Sequence, residues 1–275
     1  MQDSVIAFIG SGNMGRCLIG GLINNGVAAE NIRVADHEPA QLQRLRDQYP
    51  VVTHANNLDA VAGADIVVLA VKPQVVKGIV GEIASRIQGA GALVISIAAG
   101  IRSSDIERWL GGEAAVVRVM PNTPALVGSG AAALYRNARV TPAQADTAEA
   151  IMRSAGLALW LDDEQLLDAV TAVSGSGPAY FFLLMEAMEQ AGINLGLEPE
   201  QARLLTLQTA YGAARMALES SQDPAALRRQ VTSPGGTTEA ALRVMQGAGL
   251  SRIIEQALQS AAERARELAD ELGGL

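Results

Sequence analysis

Over the first 160 positions, apolar residues come in short β-branched runs separated by stretches of helical pattern. The runs are VIAFIG (5–10), IRVAD (32–36), VVTHA (51–55), ADIVVLAV (64–71), LVISIAAG (93–100) and AVVRVM (115–120). Several are apolar without alternation, the pattern of parallel strands covered on both faces by helices. GAAALYR (130–136) and LALWL (157–161) predict additional edge strands. From Glu164 onward the strand signal fades, and Ala/Leu-rich periodicity predicts long helices over 164–193, 198–220 and 250–272, with shorter ones between. Pro199 marks a helix start, and Gly192 and Gly196 bracket the turn before it. The last helix carries Ile253, Ile254, Ala257, Leu258, Ala261, Ala262, Ala265 and Leu268 on one stripe, with charge opposite. Its small side chains suit close helix contacts, either within the chain or between subunits. The pattern therefore predicts an α/β fold of two domains: a doubly wound sheet over 1–161 and an all-helical domain over 162–275.

Composition narrows the function classes. The 275 residues are 49% hydrophobic and carry a net charge of −8, which suits a packed globular protein and opposes attraction to a phosphate backbone. Nucleic acid is not an expected partner. The opening MQDSVIAF lacks the positive region of a secretory leader, and apolar stretches such as ALVISIAAGI fall well short of the roughly 18 residues of a membrane span. One cysteine, Cys17, excludes an internal disulfide, and two histidines beside it make no zinc site. A cytoplasmic chain without metal or membrane contact is expected.

GSGNMG, comprising Gly10, Ser11, Gly12, Asn13, Met14 and Gly15, fits the G-x-G-x-x-G pattern. It follows a predicted strand, precedes the helical pattern RCLIGGLINNG, and a second strand ends in Asp36 about 20 residues on. This context predicts a Rossmann-type dinucleotide site. Gly10 makes the turn, Gly12 lets backbone approach the pyrophosphate, Gly15 permits helix–strand packing, and the helix N-terminus receives the negative charge. Asp36 either accepts hydrogen bonds from the adenosine ribose, in which case its charge opposes a 2′-phosphate, or serves a turn. His37 reads as a solvated loop residue, His54 as a strand residue and Cys17 as a small buried one. AVKPQ, SIAAG and MPNTP each end a predicted strand, and ligands of open α/β sheets bind beyond such ends. Ala70, Val71, Lys72, Pro73, Ala98, Ala99, Gly100, Met120, Pro121 and Asn122 are thus expected to face the cofactor. Lys72 reads equally well as a surface charge, and the two prolines as strand terminators.

In the helical half, SGSGPAY (174–180) interrupts an apolar helical pattern with two glycines and Pro178, and predicts a kink or an unwound turn there. SPGGTT (233–238) brings the same polar, flexible chemistry a second time. In this order and spacing, GSGNMG, AVKPQ, MPNTP, SGSGPAY and SPGGTTEAAL resemble the pyrroline-5-carboxylate reductase family over residues 5 to about 270. The resemblance implies reduction of the cyclic imine acid 1-pyrroline-5-carboxylate to L-proline by NADPH or NADH, the last step of proline synthesis. It also implies a helical C-terminal dimerisation domain, further assembly of dimers, and a site built between subunits. Asn56 would touch the cofactor ribose, Glu164 would lie near the nicotinamide end, and Thr238 would contact the substrate nitrogen as the catalytic residue. Around it, Ser233, Gly235, Gly236 and Thr237 would bind substrate, with the substrate carboxylate received at the N-terminus of a helix over 237–246. Thr238 also suits an N-capping role. Asp36 departs from the phosphate-tolerant residue of many NADPH-preferring members, which leaves the choice of cofactor open.

After His54 the chain has neither His nor Cys, and from residue 73 onward its one lysine is Lys77. This disfavours a hydrolytic triad and weakens the alternative of a hydroxyacid dehydrogenase, which needs an acid/base on the helical domain. Another imine reductase of this architecture and a non-catalytic dinucleotide-binding scaffold remain as alternatives. Imine reduction asks less of the protein, because a protonated C=N is already electrophilic.

Overall fold

The apolar runs become strands because both of their faces are buried. The computed structural model describes residues 4–274. Eight strands lie among the described residues: β1 Ile6–Ile9, β2 Ile32–Ala35, β3 Val52–His54, β4 Ile66–Leu69, β5 Leu93–Ser96, β6 Ala115–Met120, β7 Gly130–Arg136 and β8 Gly156–Trp160. They form one sheet in the order β3-β2-β1-β4-β5-β6-β7-β8. Every neighbouring pair is parallel except β6 and β7, which run antiparallel. Of the two late runs, LALWL supplies the edge strand β8, and GAAALYR lies between it and β6.

The two-residue period of the strands divides the core. Ile6, Phe8, Ile32, Val34, Ile66, Val68, Leu93 and Ile95 point to one face, where they meet Leu18, Ile19 and Leu22 of helix Asn13–Asn24, Leu42 and Leu45 of helix Pro39–Gln48, and Ala148 and Ile151 of helix Pro142–Arg153. Ala7, Ile9, Val67, Leu69, Val94 and Val116 point to the other, against Val76, Val80 and Ile83 of helix Pro73–Ile87 and Ile106 of helix Ser103–Trp109. Burying a side chain such as Phe8 or Ile95 contributes about 1.5–3 kcal/mol each, so register is strongly fixed. A proline opens three of these helices, where its missing N–H costs nothing.

The helix expected over 164–193 is broken into two. Leu166–Val170 runs into a π turn at Thr171–Gly175, closed by Ser176 N–H to the Thr171 carbonyl at 2.8 Å, and a new helix spans Gly177–Asn194. Pro178 sits in the first turn of that new helix, so its ring displaces no hydrogen bond. Pro199–Glu219, Pro224–Gln230, Thr237–Gly247 and Leu250–Gly273 follow.

The chain forms two compact units. One runs through Ser176 and includes the chain from Ser260 onward; the other is Gly177–Gln259. The first continues beyond its last strand because Leu167 and Ala172 are buried in it. The end of the final helix also belongs to it. Leu272 packs on the core face of Ala7 and Ile9, Arg102 pairs with Asp270, and Arg108 donates to the Gly273 carbonyl at 3.1 Å. No helix among the described residues is long and apolar enough to cross a membrane.

Candidate functional site

Strand order reverses at β1, which lies between β2 and β4, and the crevice of such a sheet opens beyond the carboxyl ends at that point. A cavity of about 540 Å³ lies there, lined by Gly10, Gly12, Asp36, Ala70, Val71 and Lys72, all expected from sequence, and by Val75, Ile79, Gln41 and Asn57, which were not.

The glycine-rich turn is shaped by its neighbours. Gly10 has φ +96°, and a Cβ there would strike the Ala70 carbonyl oxygen and lie 2.8 Å from Val71 Cγ1. A Cβ on Gly15 would lie 2.7 Å from the Gly10 carbonyl oxygen, so the helix can meet β1 this closely only without a side chain. Gly12 differs: its φ of −62° suits any residue, and nothing lies within 4 Å of an added Cβ. It is also the N-cap of helix Asn13–Asn24 and offers no side-chain acceptor to the first-turn N–H groups. The open space above Gly12 and these N–H groups fit a pyrophosphate. Of the loop's remaining residues, Asn13 accepts from Arg16 at 2.8 Å, and Met14 packs against the core.

Asp36 closes one end of the cavity. Its Oδ2 accepts from Ser11 N–H at 2.8 Å and from Ser11 Oγ at 2.7 Å, and its Oδ1 accepts from Glu38 N–H at 2.9 Å. Burial pushes its pKa up, but the bonds from Glu38 and Ser11, helped by nearby His37, outweigh this and hold it below the ordinary carboxylate value. His37 is 88% exposed on its side chain, as expected of a loop residue.

Asn56 is turned to structural use: its side chain caps helix Asn57–Val61 by accepting Asp59 N–H at 2.8 Å and donating to Asp59 Oδ2 at 2.7 Å. Asn57 lines the cavity instead, held by its bond to Glu82 Oε2 at 2.8 Å. Lys72 is the exposed N-cap of the helix whose first residue is Pro73. Val75 and Ile79, one turn apart on that helix, add an apolar wall, a spacing that was readable in AVKPQVVKGI.

The strand ends farther along the sheet do not line this cavity. Ala98 is buried, and Gly100, at φ +73°, faces Leu268 and Leu272 of the final helix. Asn122 donates to the Ser174 carbonyl at 3.1 Å and accepts from Ala131 N–H at 2.8 Å, so MPNTP and the SGSG turn meet. Met120 reaches the same turn, where its Cε packs against Gly175, and Pro121 is half-buried beside it. The carboxyl ends of β2, β1, β4, β5 and β6 follow one another in that order. At about 4.8 Å per strand they span roughly 19 Å, so Asp36 and the MPNTP segment mark opposite ends of one ledge.

Glu164 is fully engaged elsewhere. It accepts from Ser103 N–H and Ser103 Oγ, both at 2.7 Å, and from Arg118 at 3.1 Å. Arg118 is buried within β6, so this carboxylate neutralises an interior guanidinium and holds the start of helix Ser103–Trp109. Cys17 donates its thiol to the Ala125 carbonyl, and burial pushes its pKa up, away from reactivity. His54 Nε2 is buried without a partner among the described residues.

In the other unit, the SPGGTT loop enters helix Thr237–Gly247 with Gly235 at φ +73° and Gly236 as the N-cap. Thr238 is the second residue of that helix and half-buried, so the capping position expected as one of its roles belongs to a glycine. Glu239 Oε2 accepts from Gly235 N–H at 2.8 Å.

Two family models match the chain. One, described as pyrroline-5-carboxylate reductase dimerisation, covers residues 164–268, and one described as NADP oxidoreductase, coenzyme F420-dependent, covers 5–100. The pyrroline-5-carboxylate reductase of Pseudomonas aeruginosa is 53% identical over 273 residues, which are 99% of this chain and 100% of that protein. A solved pyrroline-5-carboxylate reductase from Coxiella burnetii superposes with a TM-score of 0.93 at 45% identity, covering 97% of this chain and 98% of the other. A Plasmodium falciparum pyrroline carboxylate reductase, solved with NADP bound, gives 0.87 at 29% identity over 98% and 99%.

Proposed function

The chain belongs to the pyrroline-5-carboxylate reductase family, and we infer that it reduces 1-pyrroline-5-carboxylate to L-proline with NADPH or NADH. The observation that carries this reading is the cavity at the β1/β4 switch point, where a glycine-rich turn, a first-turn set of N–H groups and an ionised Asp36 converge. These residues fit a dinucleotide: the turn Gly10–Gly15 holds the pyrophosphate, Asp36 the ribose, and Val71, Val75 and Ile79 the adenine face. When bound, the reduced nicotinamide supplies a hydride to the imine carbon; the C=N pair moves to nitrogen, and one proton completes the secondary amine.

The chain's part is to bind and orient. The first-turn N–H groups of Thr237 and Thr238 have no acceptor within their helix and receive the substrate carboxylate, while Glu239 occupies the N–H of Gly235. Ser233 and Gly236 border the same loop end. The Thr238 hydroxyl hydrogen-bonds the ring nitrogen and fixes which face of the ring meets the hydride. Ala98–Gly100, Met120–Asn122 and Glu164 support the nicotinamide end of the ledge by holding the strand ends in place. The partner subunit is a second copy of this chain. Helix Gly177–Asn194 exposes Phe181, Phe182 and Leu183, each more than 60%, within the segment matched by the dimerisation model.

The test is oxidation of the reduced cofactor by the cyclic imine, followed at the nicotinamide absorbance, with Thr238→Ala run beside wild type. Since a glycine holds the cap, the alanine variant should melt at the wild-type temperature and lose about tenfold or more in kcat/KM, on the order of 1.4 kcal/mol. Wild-type turnover in that variant removes Thr238 from the substrate site.

A further inference from the structure

We propose that Glu239 is a positioning residue for the reduction: by accepting Gly235 N–H it locks the peptide between Pro234 and Gly235, and so fixes the loop from which Thr237 and Thr238 meet the substrate. The inference rests on the assignment of this loop to the substrate.

Ser233 to Gly236 form a tight turn. Gly236 N–H donates to the Ser233 carbonyl at 3.0 Å, Pro234 stands second, and Gly235 stands third at φ +73°, the pattern of a type II turn. Types I and II differ chiefly in which way the central peptide faces, and glycine in third place tolerates both. Closing the turn therefore does not by itself decide where Gly235 N–H points. Glu239 decides it, because its Oε2 accepts that N–H at 2.8 Å. An acidic residue at the third helical position ordinarily reaches back to the N–H of the N-cap. Here the N-cap is Gly236, whose N–H already bonds Ser233, so the carboxylate reaches one residue farther back. Arg243 Nη2 lies 3.7 Å from the same oxygen, but both side chains are exposed and that pair adds little.

The lock acts on the end of the helix. The first bond within helix Thr237–Gly247 runs from Ala240 N–H to the Gly236 carbonyl at 3.1 Å, so the N–H groups of Thr237 and Thr238 have no acceptor in it. With the peptide reversed, the Pro234 carbonyl oxygen would stand where Gly235 N–H now points. A donor beside the helix end would become an acceptor, which repels a carboxylate arriving at the neighbouring N–H groups.

The test is steady-state kinetics of imine reduction in wild type, Glu239→Ala and Glu239→Gln, with thermal melts and with hydrogen exchange of the Gly235 amide followed by NMR. Glu239→Ala should raise KM for the imine about fivefold or more, change kcat less, and speed Gly235 exchange about tenfold. Glu239→Gln, whose amide oxygen accepts the same N–H, should recover most of both. Kd for the reduced dinucleotide, whose cavity lies in the other unit, should be equal in all three. If Glu239 serves only the helix dipole, both variants lower Tm slightly and leave KM alone. If its charge repels the substrate, both lower KM. Either result, or a Gly235 amide that exchanges equally fast in wild type and Glu239→Ala, overturns the inference. Should wild type protect Gly235 and yet reduce no imine, the reaction falls and the positioning role with it; should the imine be reduced with KM unmoved in Glu239→Ala, the positioning role falls alone.

Discussion

A single methyl group, placed in turn on the three glycines of the turn after β1, should have three different effects. At Gly10 an alanine must adopt φ +96°, which costs about 1–2 kcal/mol, and must push on the Ala70 carbonyl and on Val71 Cγ1 at 2.8 Å, an overpacking worth about 1–3 kcal/mol. The sum, about 2–5 kcal/mol, lowers Tm by roughly 4–20 °C for a chain of this size. At Gly15 the clash is with backbone, the Gly10 carbonyl oxygen at 2.7 Å, and stability should fall for the overpacking reason alone, by about 1–3 kcal/mol. At Gly12 the conformation is already that of an ordinary residue and the added methyl meets nothing within 4 Å. Gly12→Ala should therefore change stability by no more than about 1 kcal/mol, since the unfolded-state entropy it removes is offset by alanine's poorer fit at a helix N-cap. Its methyl instead stands in the space assigned to the pyrophosphate, and cofactor affinity should drop by about tenfold or more. Thermal melts with and without reduced dinucleotide read both quantities. Ligand at a hundred times Kd adds about 2.7 kcal/mol to wild type, and much of that gain should be missing in Gly12→Ala. A Gly12→Ala protein that melts normally and keeps the full ligand-induced rise would show that the pyrophosphate lies elsewhere.

Other expectations follow from the same contacts. Glu164→Gln leaves the buried Arg118 without its counter-charge and should cost about 2–4 kcal/mol in urea melts, with dinucleotide Kd little changed. Normal stability with lost turnover would instead place Glu164 at the reacting end. The folded-state pKa of Asp36 is depressed below the unfolded value of about 3.9, so its contribution to stability is fully present above that value and disappears as pH falls through the folded-state pKa. The stability difference between wild type and Asp36→Asn should accordingly hold constant from neutral pH to about pH 5 and shrink in more acid solution; a difference that fades near pH 6 would contradict this. Light scattering should show a dimer in wild type and a monomer in Phe181→Glu/Phe182→Glu, and a wild-type monomer would leave those exposed rings unexplained.

The strands were legible because burial on both faces leaves no polar alternation to obscure them, as VIAFI and DIVVLAV illustrate. The direction of β7 was not read from its composition, yet the signal was present. Residues 121–129 between β6 and β7 are too few for the dozen or more that a parallel crossover needs. The helix break expected at SGSGPAY as a kink or unwound turn takes the form of a π turn over Thr171–Gly175, ahead of Pro178, since a proline in a first turn costs no bond. Asn56 and Asn57 are chemically identical neighbours, and only the start of a five-residue helix decides that one caps while the other faces the cavity. Glu164 meets partners 61 and 46 residues away, contacts that no local pattern encodes. The Asp36–Ser11 contact spans 25 residues, but the strand–turn–strand spacing already places both at neighbouring strand ends.

The unit that carries the sheet is discontinuous along the chain, since it takes its last helical turns from Ser260 onward. Proteins are synthesised from the N-terminus, so strands β1 to β8 emerge long before the segment that seats Leu268 and Leu272 against Gly100 and pairs Asp270 with Arg102. Throughout that interval the surface around Gly100 lacks its cover, and the intervening helices must be made before the cover arrives. The sheet unit can therefore be completed only after the intervening helices have been made, and until then the SIAAG strand end stays uncovered.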